Sequence, residues 1–472
     1  MNVLLIVPRT LSPKQTYREY PLGAGLIATS LRRAGCHTTV YDQSAEGPDD
    51  ESLWIRLAEF RPDVVGFSVV TPSYPVARQQ IRQLRAQRPD LPIVAGGIHA
   101  SLFPDDFLAD GADAVVAGDG CGPMTVLVDR IRRGLPWDTI PGLIGRTREG
   151  RSFHNAPARR LPNIDPGIID RNVYNLSLYS HHSMLASLGC PYRCTFCCNF
   201  SGRLLQQGVT IRSCDRLCEE IDYLVACHGA KQIFFVDDIF LVQRANALEF
   251  CRKLARRQPG LQWIAQMRAD ALNEEVAAEM AAAGCRRIYF GVESGSEAVL
   301  RRVRKGTDRE SIRLGVESAK KAGIRVKTGW VFGLPGTLDE QYESVAFMRE
   351  LRPHEISIHQ LIPFPGTEYY AHPQRHGIRI RDPKDFASFC YGGMGDNVSF
   401  DYLSRGQLIE LLEHTVDVLQ SDGYTNSDIA TPETPYVFST PLNSISMSVF
   451  HSPGPHVRHE TSAAAEPVVP TY

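Results

Sequence analysis

The stretch CPYRCTFCCNF, residues 190–200, places four of the twelve cysteines of the chain in one short segment. Cys190, Cys194 and Cys197 form a C-x3-C-x2-C pattern, and replacing Cys197 by Cys198 gives C-x3-C-x3-C. Thiolates are soft ligands that suit iron–sulfur clusters and zinc, and four thiolates saturate either one. Three leave one position open, as in metal sites that bind a reactant directly. The pattern predicts such a site, against a structural zinc knuckle or plain buried thiols.

The size and charge of the chain exclude several classes of partner. At 472 residues it is too long for one core and predicts two or three domains. Lys and Arg number 51 against 53 for Asp and Glu, and the net charge of -2 provides no field for nucleic acid or an anionic membrane. The start MNVLLIVPRT lacks the features of a signal peptide, and no apolar run approaches a membrane span. We expect a cytoplasmic protein with a small-molecule substrate, no nucleic acid and no membrane.

The first part of the chain alternates short apolar runs with helical sequence. NVLLIVP, DVVGFSVV, LPIVAGG and DAVVAGD read as buried parallel strands, and GLIATSLRRAG and YPVARQQIRQLRAQRP read as helices between them. This alternation predicts a doubly wound parallel α/β sheet, in which ligands bind at the carboxyl ends of the strands. The candidate ligand-binding residues at those ends are Ser68, Thr71, Gly96 and Gly97.

A second βα series begins near residue 183 with SMLASLG and continues to EISIHQLIPFPG. Six strands with crossover helices predict a partial (β/α)6 barrel, whose catalytic groups belong at the carboxyl ends of the strands. The cysteine stretch follows the first of these strands. The predicted organisation is a doubly wound domain at 1–135, a linker with a small β element at 136–180, the barrel at 181–380, a small C-terminal helical region at 381–450, and a disordered tail at 451–472.

The cysteine stretch, followed in order by FFVDDIF, FGVESGSE, GWVFGLPGT and IPFPGTEYY, resembles the radical S-adenosylmethionine (SAM) enzymes. The whole arrangement resembles the branch with an N-terminal cobalamin-binding-type domain. The resemblance implies a 4Fe-4S cluster on three cysteines, with Cys190 and Cys194 joined by Cys197 or, alternatively, Cys198. It also implies that SAM binds the open iron and is cleaved to a 5'-deoxyadenosyl radical, which abstracts a substrate hydrogen atom.

The same resemblance implies roles for residues at matching strand ends. Contacts to the amino, carboxylate and ribose groups of SAM are expected from Asp237, Asp238, Arg268, Glu293 and Ser294. The backbone near adenine is expected at Gly333, Pro335 and Gly336. The alternative for the carboxylates and the serine is that they cap the helices that follow.

Two reactions fit the resemblance. The C-x3-C-x3-C spacing is similar to that of aminoglycoside-pathway enzymes of the apramycin type, which perform radical diol dehydration for 3'-deoxygenation. We therefore expect dehydration of a paromamine-like aminosugar in antibiotic biosynthesis. The alternative is cobalamin-dependent C-methylation in natural-product biosynthesis. A non-enzymatic cobalamin or iron–sulfur carrier is a third interpretation.

Cobalamin is a further cofactor implied by the resemblance, and the N-terminal domain departs from its pattern in two ways. The chain has no D-x-H-x-x-G motif, so a lower axial histidine is not supplied, and GDGCG stands where G-E-G-E is usual. His37 and His99 are candidate cobalt ligands, although a histidine on a short loop is more often a structural group.

Substrate contacts are expected at strand ends that SAM does not use, from Lys327, His359 and Gln360. A polar substrate needs donors and acceptors, and loss of water needs a general acid. The expected partners are a one-electron donor such as flavodoxin or ferredoxin and, for dehydration, an NADPH-dependent reductase that acts on the product.

Overall fold

A computed structural model describes most of the chain up to residue 431. The described residues are 1–10, 20–47, 49–147, 150–156, 158, 167–179, 181–198, 208–240, 243–390 and 396–431. Residues 1–436 form one compact unit. The tail expected at 451–472 lies outside the described residues.

The N-terminal half is the doubly wound domain that the sequence predicts. Its sheet has seven strands in the order β2-β1-β3-β4-β5-β6-β7, and β1 to β5 are parallel. The chain reverses direction across the sheet between β1 and β3, where such folds bind ligands. The strands are β1 (Asn2–Val7), β2 (His37–Asp42), β3 (Val64–Ser68), β4 (Ile93–Gly96), β5 (Ala114–Val116), β6 (Leu143–Arg146) and β7 (Ser152–His154). The helices are α1 (Leu22–Arg33), α2 (Gln43–Glu46), α3 (Asp50–Phe60), α4 (Tyr74–Gln87), α5 (Ile98–Leu102), α6 (Pro104–Asp110) and α7 (Cys121–Arg132), with a 3-10 turn at Thr71–Ser73.

The hairpin expected within a linker belongs to this sheet. β6 and β7 are antiparallel to each other, and β6 pairs with β5. An apolar strand such as β6, buried at Leu143, Ile144 and Gly145, needs a neighbour on the sheet edge to satisfy its backbone groups. The first domain therefore extends past residue 135. The segment that joins it to the barrel is correspondingly shorter than predicted.

The second half contains the parallel sheet of the barrel. Its order is β18-β15-β14-β13-β12-β11-β8, so the six expected strands are present and a short seventh strand from the C-terminal region extends the edge. Two further pairs, β9 with β10 and β16 with β17, are antiparallel. The strands are β8 (His182–Met184), β9 (Ser187–Leu188), β10 (Thr210–Ile211), β11 (Gln232–Phe235), β12 (Gln262–Met267), β13 (Cys285–Glu293), β14 (Arg325–Phe332), β15 (Glu355–Gln360), β16 (Ile378–Ile380), β17 (Val398–Phe400) and β18 (Ile429–Ala430).

Helices cover the outside of this sheet. Several begin at a side-chain cap that accepts from the backbone of the first turn, such as Thr337 with its reciprocal partner Glu340. The helices are α8 (Cys214–His228), α9 (Arg244–Arg257), α10 (Glu274–Ala282), α11 (Glu297–Arg302), α12 (Arg309–Lys321), α13 (Leu338–Leu351), α14 (Glu368–Ala371) and α15 (Arg405–Ser421); 3-10 turns lie at Arg171–Val173, Leu176–Leu178, Ala269–Ala271, Pro373–His376 and Phe386–Ser388. Within the described part of the chain, no helix combines the length and apolar character that crossing a membrane requires.

One hydrophobic core joins the two halves. It includes Phe67 and Ile81 of the first domain, Val299 beside the barrel, and Tyr369 and Phe386 from the region after β15. Burial of apolar surface on both sides of a shared core resists separation of the parts. The structure therefore fixes the first domain against the barrel through packed side chains.

His99 lies inside this shared core. Its ring is fully buried between the rings of Tyr74, Phe103, Phe107 and Phe386. Burial lowers the pKa of His99 to about 3. The imidazole is therefore neutral in the folded chain, whereas an unfolded chain protonates it near its ordinary pKa.

We expect His99 to make stability depend on pH. Between the unfolded pKa of about 6.5 and the folded value of about 3, the unfolded state binds one more proton, so the free energy of unfolding falls by about 1.4 kcal/mol for each unit that the pH decreases. In a His99→Phe variant, the free energy of unfolding should depend less steeply on pH. Chemical denaturation at a series of pH values below neutrality measures this dependence. The exposed control His154→Phe should keep the slope of the original chain. Equal slopes for all three proteins would contradict this account.

Candidate active site

A cavity of about 220 Å³ lies at the carboxyl ends of the first sheet, where the strand order reverses. Strand residues Leu5, Gly66, Phe67, Val94 and Val116 line it, so its walls are mainly apolar. The remaining lining residues come from α1, the ends of β3 and β4, the loops after β4 and β5, the start of α7, and β9: Gly23, Ala24, Leu26, Ile27, Ser68, Ala95, Gly96, Gly97, Gly118, Asp119, Gly120, Cys121, Met124 and Leu188.

Three of the four ligand-binding residues predicted for this domain line the cavity. They are Ser68, Gly96 and Gly97. Gly97 has a φ of 90°, and a Cβ there would stand 2.7 Å from the carbonyl oxygen of Val69, so only glycine fits. Thr71 lies away from the cavity on the 3-10 turn, where its hydroxyl is 3.3 Å from Nδ1 of His99.

Neither candidate cobalt ligand reaches the cavity. His99 is enclosed by the aromatic rings of the shared core. His37 begins β2, at the opposite end of the sheet, and stacks on Phe60. None of the described residues that line the cavity is a histidine.

The cysteine loop is a tight turn at the carboxyl end of the first barrel strand. The backbone N–H of Cys197 donates to the carbonyl of Cys194 at 3.2 Å. Cys197 has the largest exposed surface of the four, although many protein atoms surround its thiol. Burial in this concave site, and then the neighbouring Cys194 and Cys190, raises the pKa of Cys197 to about 12. Burial also raises the thiol pKa values of Cys190 and Cys194, so ligation by a metal must displace the protons.

Cys198 points into a different environment. Its Sγ lies 2.7 Å from the position that a Cβ would take on Gly366, and Leu102 lines the same spot. Gly366 has a φ of 91°, and its missing side chain leaves the space that the sulfur fills. Cys198 therefore packs between α5 of the first domain and the loop after β15. This packing favours Cys197 as the third cluster ligand.

Three other parts of the chain hold the loop in place. The guanidinium of Arg268 lies 3.8 Å from the ring centroid of Tyr192, a cation–π contact. The hydroxyl of Thr195 donates to the hydroxyl of Tyr369 at 2.7 Å, and the Thr195 N–H donates to the carbonyl of Val303. These contacts orient the cysteines of the loop.

Arg268 was expected to contact SAM. In the structure, the N–H groups of its guanidinium donate hydrogen bonds to other groups of the protein. They reach both carboxylate oxygens of Asp270 and the carbonyls of Lys305 and Gly306. Together with the stacking on Tyr192, this makes Arg268 a residue that positions the cysteine loop.

Asp237 and Asp238, although adjacent, have different surroundings. Asp237 is buried, and its carboxylate accepts from the backbone N–H groups of Ala186 and Ser187 and from the Ser187 hydroxyl. Burial raises the pKa of Asp237 to about 7, partly offset by these hydrogen bonds. Asp238 faces the cysteine loop, where its charge acts on Cys190 and Cys197. Of the two, only Asp238 stands where a cosubstrate on the cluster could meet it.

Glu293 has an unusual backbone at the end of β13. Its φ is 71°, which is strained for a residue other than glycine, and the strand register shifts beside it. Lys305 donates to its Oε1 at 2.9 Å, and both charges act on Cys194. The ion pair with Lys305 therefore holds Glu293 beside the cluster loop in spite of its strained backbone. Ser294 is buried, accepts from the N–H of Ser296 and lies 3.3 Å from Ser344. The N-cap of the following helix is Ser296, so Ser294 stabilises the turn before the helix and is not its cap.

The glycines expected to approach adenine are covered by protein. A Cβ on Gly333 would stand 3.2 Å from the ring of Phe400, and the Tyr402 hydroxyl donates to the Gly333 carbonyl. Gly336 leaves room for Val299 and Arg302, and Arg302 donates to the carbonyl of Pro335. Packing within the chain thus explains all three residues.

The three predicted substrate residues do not share a strand end. Lys327 is the third residue of β14 and lies toward the amino end, because that strand runs on to Phe332. His359 lies near the carboxyl end of β15 and contacts the Ser357 hydroxyl at 3.0 Å. Side chains alternate along a strand, so Gln360 belongs to the face opposite His359. The placement of Lys327 at a strand end was wrong, whereas Gln360 is the last residue of β15 as expected and its contact with substrate stays a prediction.

The sequence reasoning missed Leu188. This residue, two positions before Cys190, lines the cavity of the first domain. The cavity and the cysteine loop are therefore neighbours. No local pattern reveals this, because it depends on how the two halves pack. The helical thiols Cys214 and Cys218 are buried in the core between α8 and α9, as packing residues would be.

Models of two protein families match the chain. The B12 binding domain model matches residues 11–128, and the radical SAM superfamily model matches residues 184–348. The first half of the chain therefore contains a B12-binding domain, and the second half contains a radical SAM domain. The cofactors of these two domains are cobalamin, a 4Fe-4S cluster and SAM.

Similar proteins share this architecture. The chain is 28% identical over 387 residues to an uncharacterized methyltransferase of Pyrococcus horikoshii, covering 78% of this chain and 82% of the relative. It is 28% identical over 397 residues to the hopanoid C-3 methylase of Methylococcus capsulatus, covering 82% and 75%. The solved radical SAM methyltransferase TsrM of Kitasatospora setae, with cobalamin and a [4Fe-4S] cluster bound, superposes with a TM-score of 0.72 at 21% identity, covering 91% and 90%. This last likeness supports the fold.

The residues present fit the cofactors. Among the described residues, no three His, Cys, Asp or Glu side chains converge where one metal ion could bind. A cubane cluster instead meets each cysteine at a different iron, so it needs thiols that surround a volume, as a loop with Cys190, Cys194 and Cys197 can provide. The glycine-rich, apolar cavity suits a small apolar portion of cobalamin, and it supplies no histidine to the metal.

The ligand assignment predicts different iron contents for two variants. Cys197→Ala should lose most of its cluster iron after anaerobic reconstitution, because it removes one of three anchoring thiolates. Cys198→Ala should retain iron at the level of the original chain, because that sulfur packs against Gly366. Iron and sulfide analysis of both proteins decides the question, and the reverse pattern would transfer the ligand role to Cys198.

If cobalamin binds in the cavity of the first domain, a substitution that fills this cavity should reduce cobalamin binding and leave the iron–sulfur cluster unaffected. In Gly96→Val the Cβ meets only ordinary contacts, 3.6 Å from the Val116 carbonyl, while the side chain fills part of the cavity. We expect cobalamin uptake, measured by absorbance, to fall at least about tenfold, with unchanged iron content. Gly122→Val, at an exposed position with open space around it, is the control. Full uptake by Gly96→Val would show that cobalamin does not enter this cavity.

Proposed function

We propose that the protein is a cobalamin-dependent radical SAM methyltransferase that modifies a small molecule. The observation that carries the proposal is the position of Leu188, which lines the cavity of the B12-binding domain two residues before the first cysteine of the cluster loop. A methyl group that passes between SAM and a substrate through cobalamin requires the two sites to be neighbours. The relatives at 28% identity over most of the chain carry methyltransferase or methylase names.

The chain contributes position and enclosure to this reaction. When bound, the cluster, SAM and cobalamin supply radical and methyl-transfer chemistry. Arg268 and Thr195 hold the cysteine loop, and Asp237 fixes the segment that leads into it. Glu293 and Asp238 place carboxylates beside the loop, where they can orient the amino group of SAM. The shared aromatic core around Phe386 keeps water out of the junction between the domains.

The hypothesis of aminosugar dehydration becomes weaker, because its main argument no longer holds. That interpretation depended on the C-x3-C-x3-C spacing through Cys198, whose sulfur packs against Gly366 and Leu102. Methyl transfer also removes the need for an NADPH-dependent reductase to complete the product. A one-electron donor such as flavodoxin or ferredoxin is still required to reduce the cluster.

The test compares cobalamin-loaded and cobalamin-free protein. Anaerobic incubations contain SAM with a deuterated methyl group, a chemical reductant, and a panel of aminosugars, carboxylic acids and phosphorylated metabolites, followed by mass spectrometry. We expect a product that carries the labelled methyl group only when cobalamin is loaded. The Gly96→Val variant, which fills the cavity, should form this product at least about tenfold more slowly.

A dehydrated product formed with 5'-deoxyadenosine in the absence of cobalamin would contradict the proposal. It would return the assignment to the radical dehydratases. Equal yields of labelled product with and without cobalamin would also contradict it, because the methyl group would then reach the substrate by another route.

A further inference from the structure

The stretch of chain between the two large sheets is bonded to α1 of the first domain. The carboxylate of Asp170 forms an ion pair with Arg32 at 2.7 Å, and the Asp170 N–H donates to the hydroxyl of Thr29 at 3.0 Å. The Tyr174 hydroxyl donates at 3.0 Å to the carbonyl of Pro21, the residue before α1. Both ends of α1 are therefore fixed to the same short stretch.

The packing between α1 and segment 170–174 is close. A Cβ on Gly25 would stand 1.8 Å from the Tyr174 hydroxyl, so the contact requires a residue without a side chain. The same part of α1 contains Gly23 and Ala24, which line the cavity of the first domain. The position of segment 170–174 therefore determines where this wall of the cavity lies.

Arg171, in the same segment, is bonded to the barrel and is fully buried. Its guanidinium donates to the carbonyl of Ser183 in β8 at 2.7 Å and to Glu220 of α8 at 3.1 Å. The second oxygen of Glu220 accepts from Arg212 at 2.7 Å, and Arg212 also donates to the carbonyl of Leu185 at 2.9 Å. Two buried guanidiniums thus share one carboxylate and hold the backbone of the first barrel strand and of the residue after it.

This strand leads to both cofactor sites. Leu188 lines the cavity of the first domain, and Cys190 begins the cluster loop two residues later. The guanidinium of Arg171 also lies 5.1 Å from the ring centroid of Tyr20, just before α1. Two consecutive residues, Asp170 and Arg171, therefore connect the α1 wall of the cavity to the strand that precedes the cluster loop.

We propose that Arg171 and Glu220 are positioning residues that set the separation between the cobalamin cavity and the cluster loop. The inference rests on the proposed function, because methyl transfer requires this separation to be fixed. Asp237 bonds the backbone before Leu188 to the barrel, whereas Arg171 bonds the strand to the first domain.

Stability alone is a poor explanation for this network. Taking the charges of Arg171, Glu220 and Arg212 out of water is costly, and well-packed apolar side chains of similar volume often stabilise a protein as well or better. Charged hydrogen bonds add direction, because each guanidinium bonds one particular carbonyl of the strand.

The test measures how strongly the two cofactors interact in the loaded chain without SAM. Electron paramagnetic resonance records how far the reduced cluster speeds the relaxation of cob(II)alamin. Two altered proteins are compared with the original chain: Glu220→Gln, and a triple variant that combines Arg171→Met, Glu220→Leu and Arg212→Met. The triple variant removes the three charges together, which avoids leaving one of them buried alone. Glu219→Gln is the control, since Glu219 lies on the same helix with an exposed carboxylate paired with Arg216.

We expect every variant to take up cobalamin and iron at the level of the original chain, as measured by absorbance and iron analysis. The relaxation enhancement should be weaker in Glu220→Gln and in the triple variant, because the strand is no longer fixed against α1, and unchanged in Glu219→Gln. Formation of the labelled methyl product should fall at least about tenfold in both variants, since small misplacements of reacting groups reduce rates steeply. If Glu220→Gln does not fold, the triple variant decides.

An unchanged relaxation enhancement in a loaded triple variant would overturn the inference alone, because the cofactors would keep their separation without the network. Absence of any enhancement in the original chain would overturn it together with the neighbouring cofactor sites. Neither measurement depends on methyl transfer, since SAM is absent. Failure of the positioning role and failure of the methyltransferase proposal are therefore distinguishable.

Discussion

The buried carboxylate of Asp237 is the contact on which the site depends. Asp237 lies in the loop just after β11, and its carboxylate accepts from the backbone of Ala186 and Ser187 and from the Ser187 hydroxyl. These bonds fix the chain just before Leu188 and Cys190. Leu188 is thereby held against the cavity of the first domain, and Cys190 begins the cluster loop beside it. One hydrogen-bonded carboxylate thus sets the relative positions of the two cofactor sites.

The sequence predicted the fold well because hydrophobic patterns over buried parallel strands are strong. The apolar runs of β1, β3 and β4 and the amphipathic helices between them required the doubly wound sheet, and the six barrel strands followed the same logic. The boundary between the halves was less accurate. Hairpin β6–β7 has its own turn signal, but whether it joins a sheet edge depends on a partner strand distant in sequence.

Site residues could be predicted where the requirement is local, such as a small residue at the end of a strand. Ser68, Gly96 and Gly97 line the cavity as expected, since strand-end glycines are required by close backbone approach. Arg268 and Asp237 were expected to contact SAM because they stand at matching positions; in the structure they bond to protein groups, and a contact with SAM stays a prediction. Long polar side chains reach several neighbours, and sequence alone does not say which neighbour they bond. Lys327 was misplaced because predicting its position requires the residues at which β14 begins and ends.

The central claim is that cobalamin and the 4Fe-4S cluster occupy neighbouring sites, joined through Leu188. Electron paramagnetic resonance of the reconstituted chain tests it most directly, with cobalamin as cob(II)alamin and the cluster reduced. The account predicts that the cob(II)alamin signal is broadened and relaxes faster when the cluster is present than in cluster-free Cys197→Ala protein. Identical cob(II)alamin spectra and relaxation with and without the reduced cluster would contradict it.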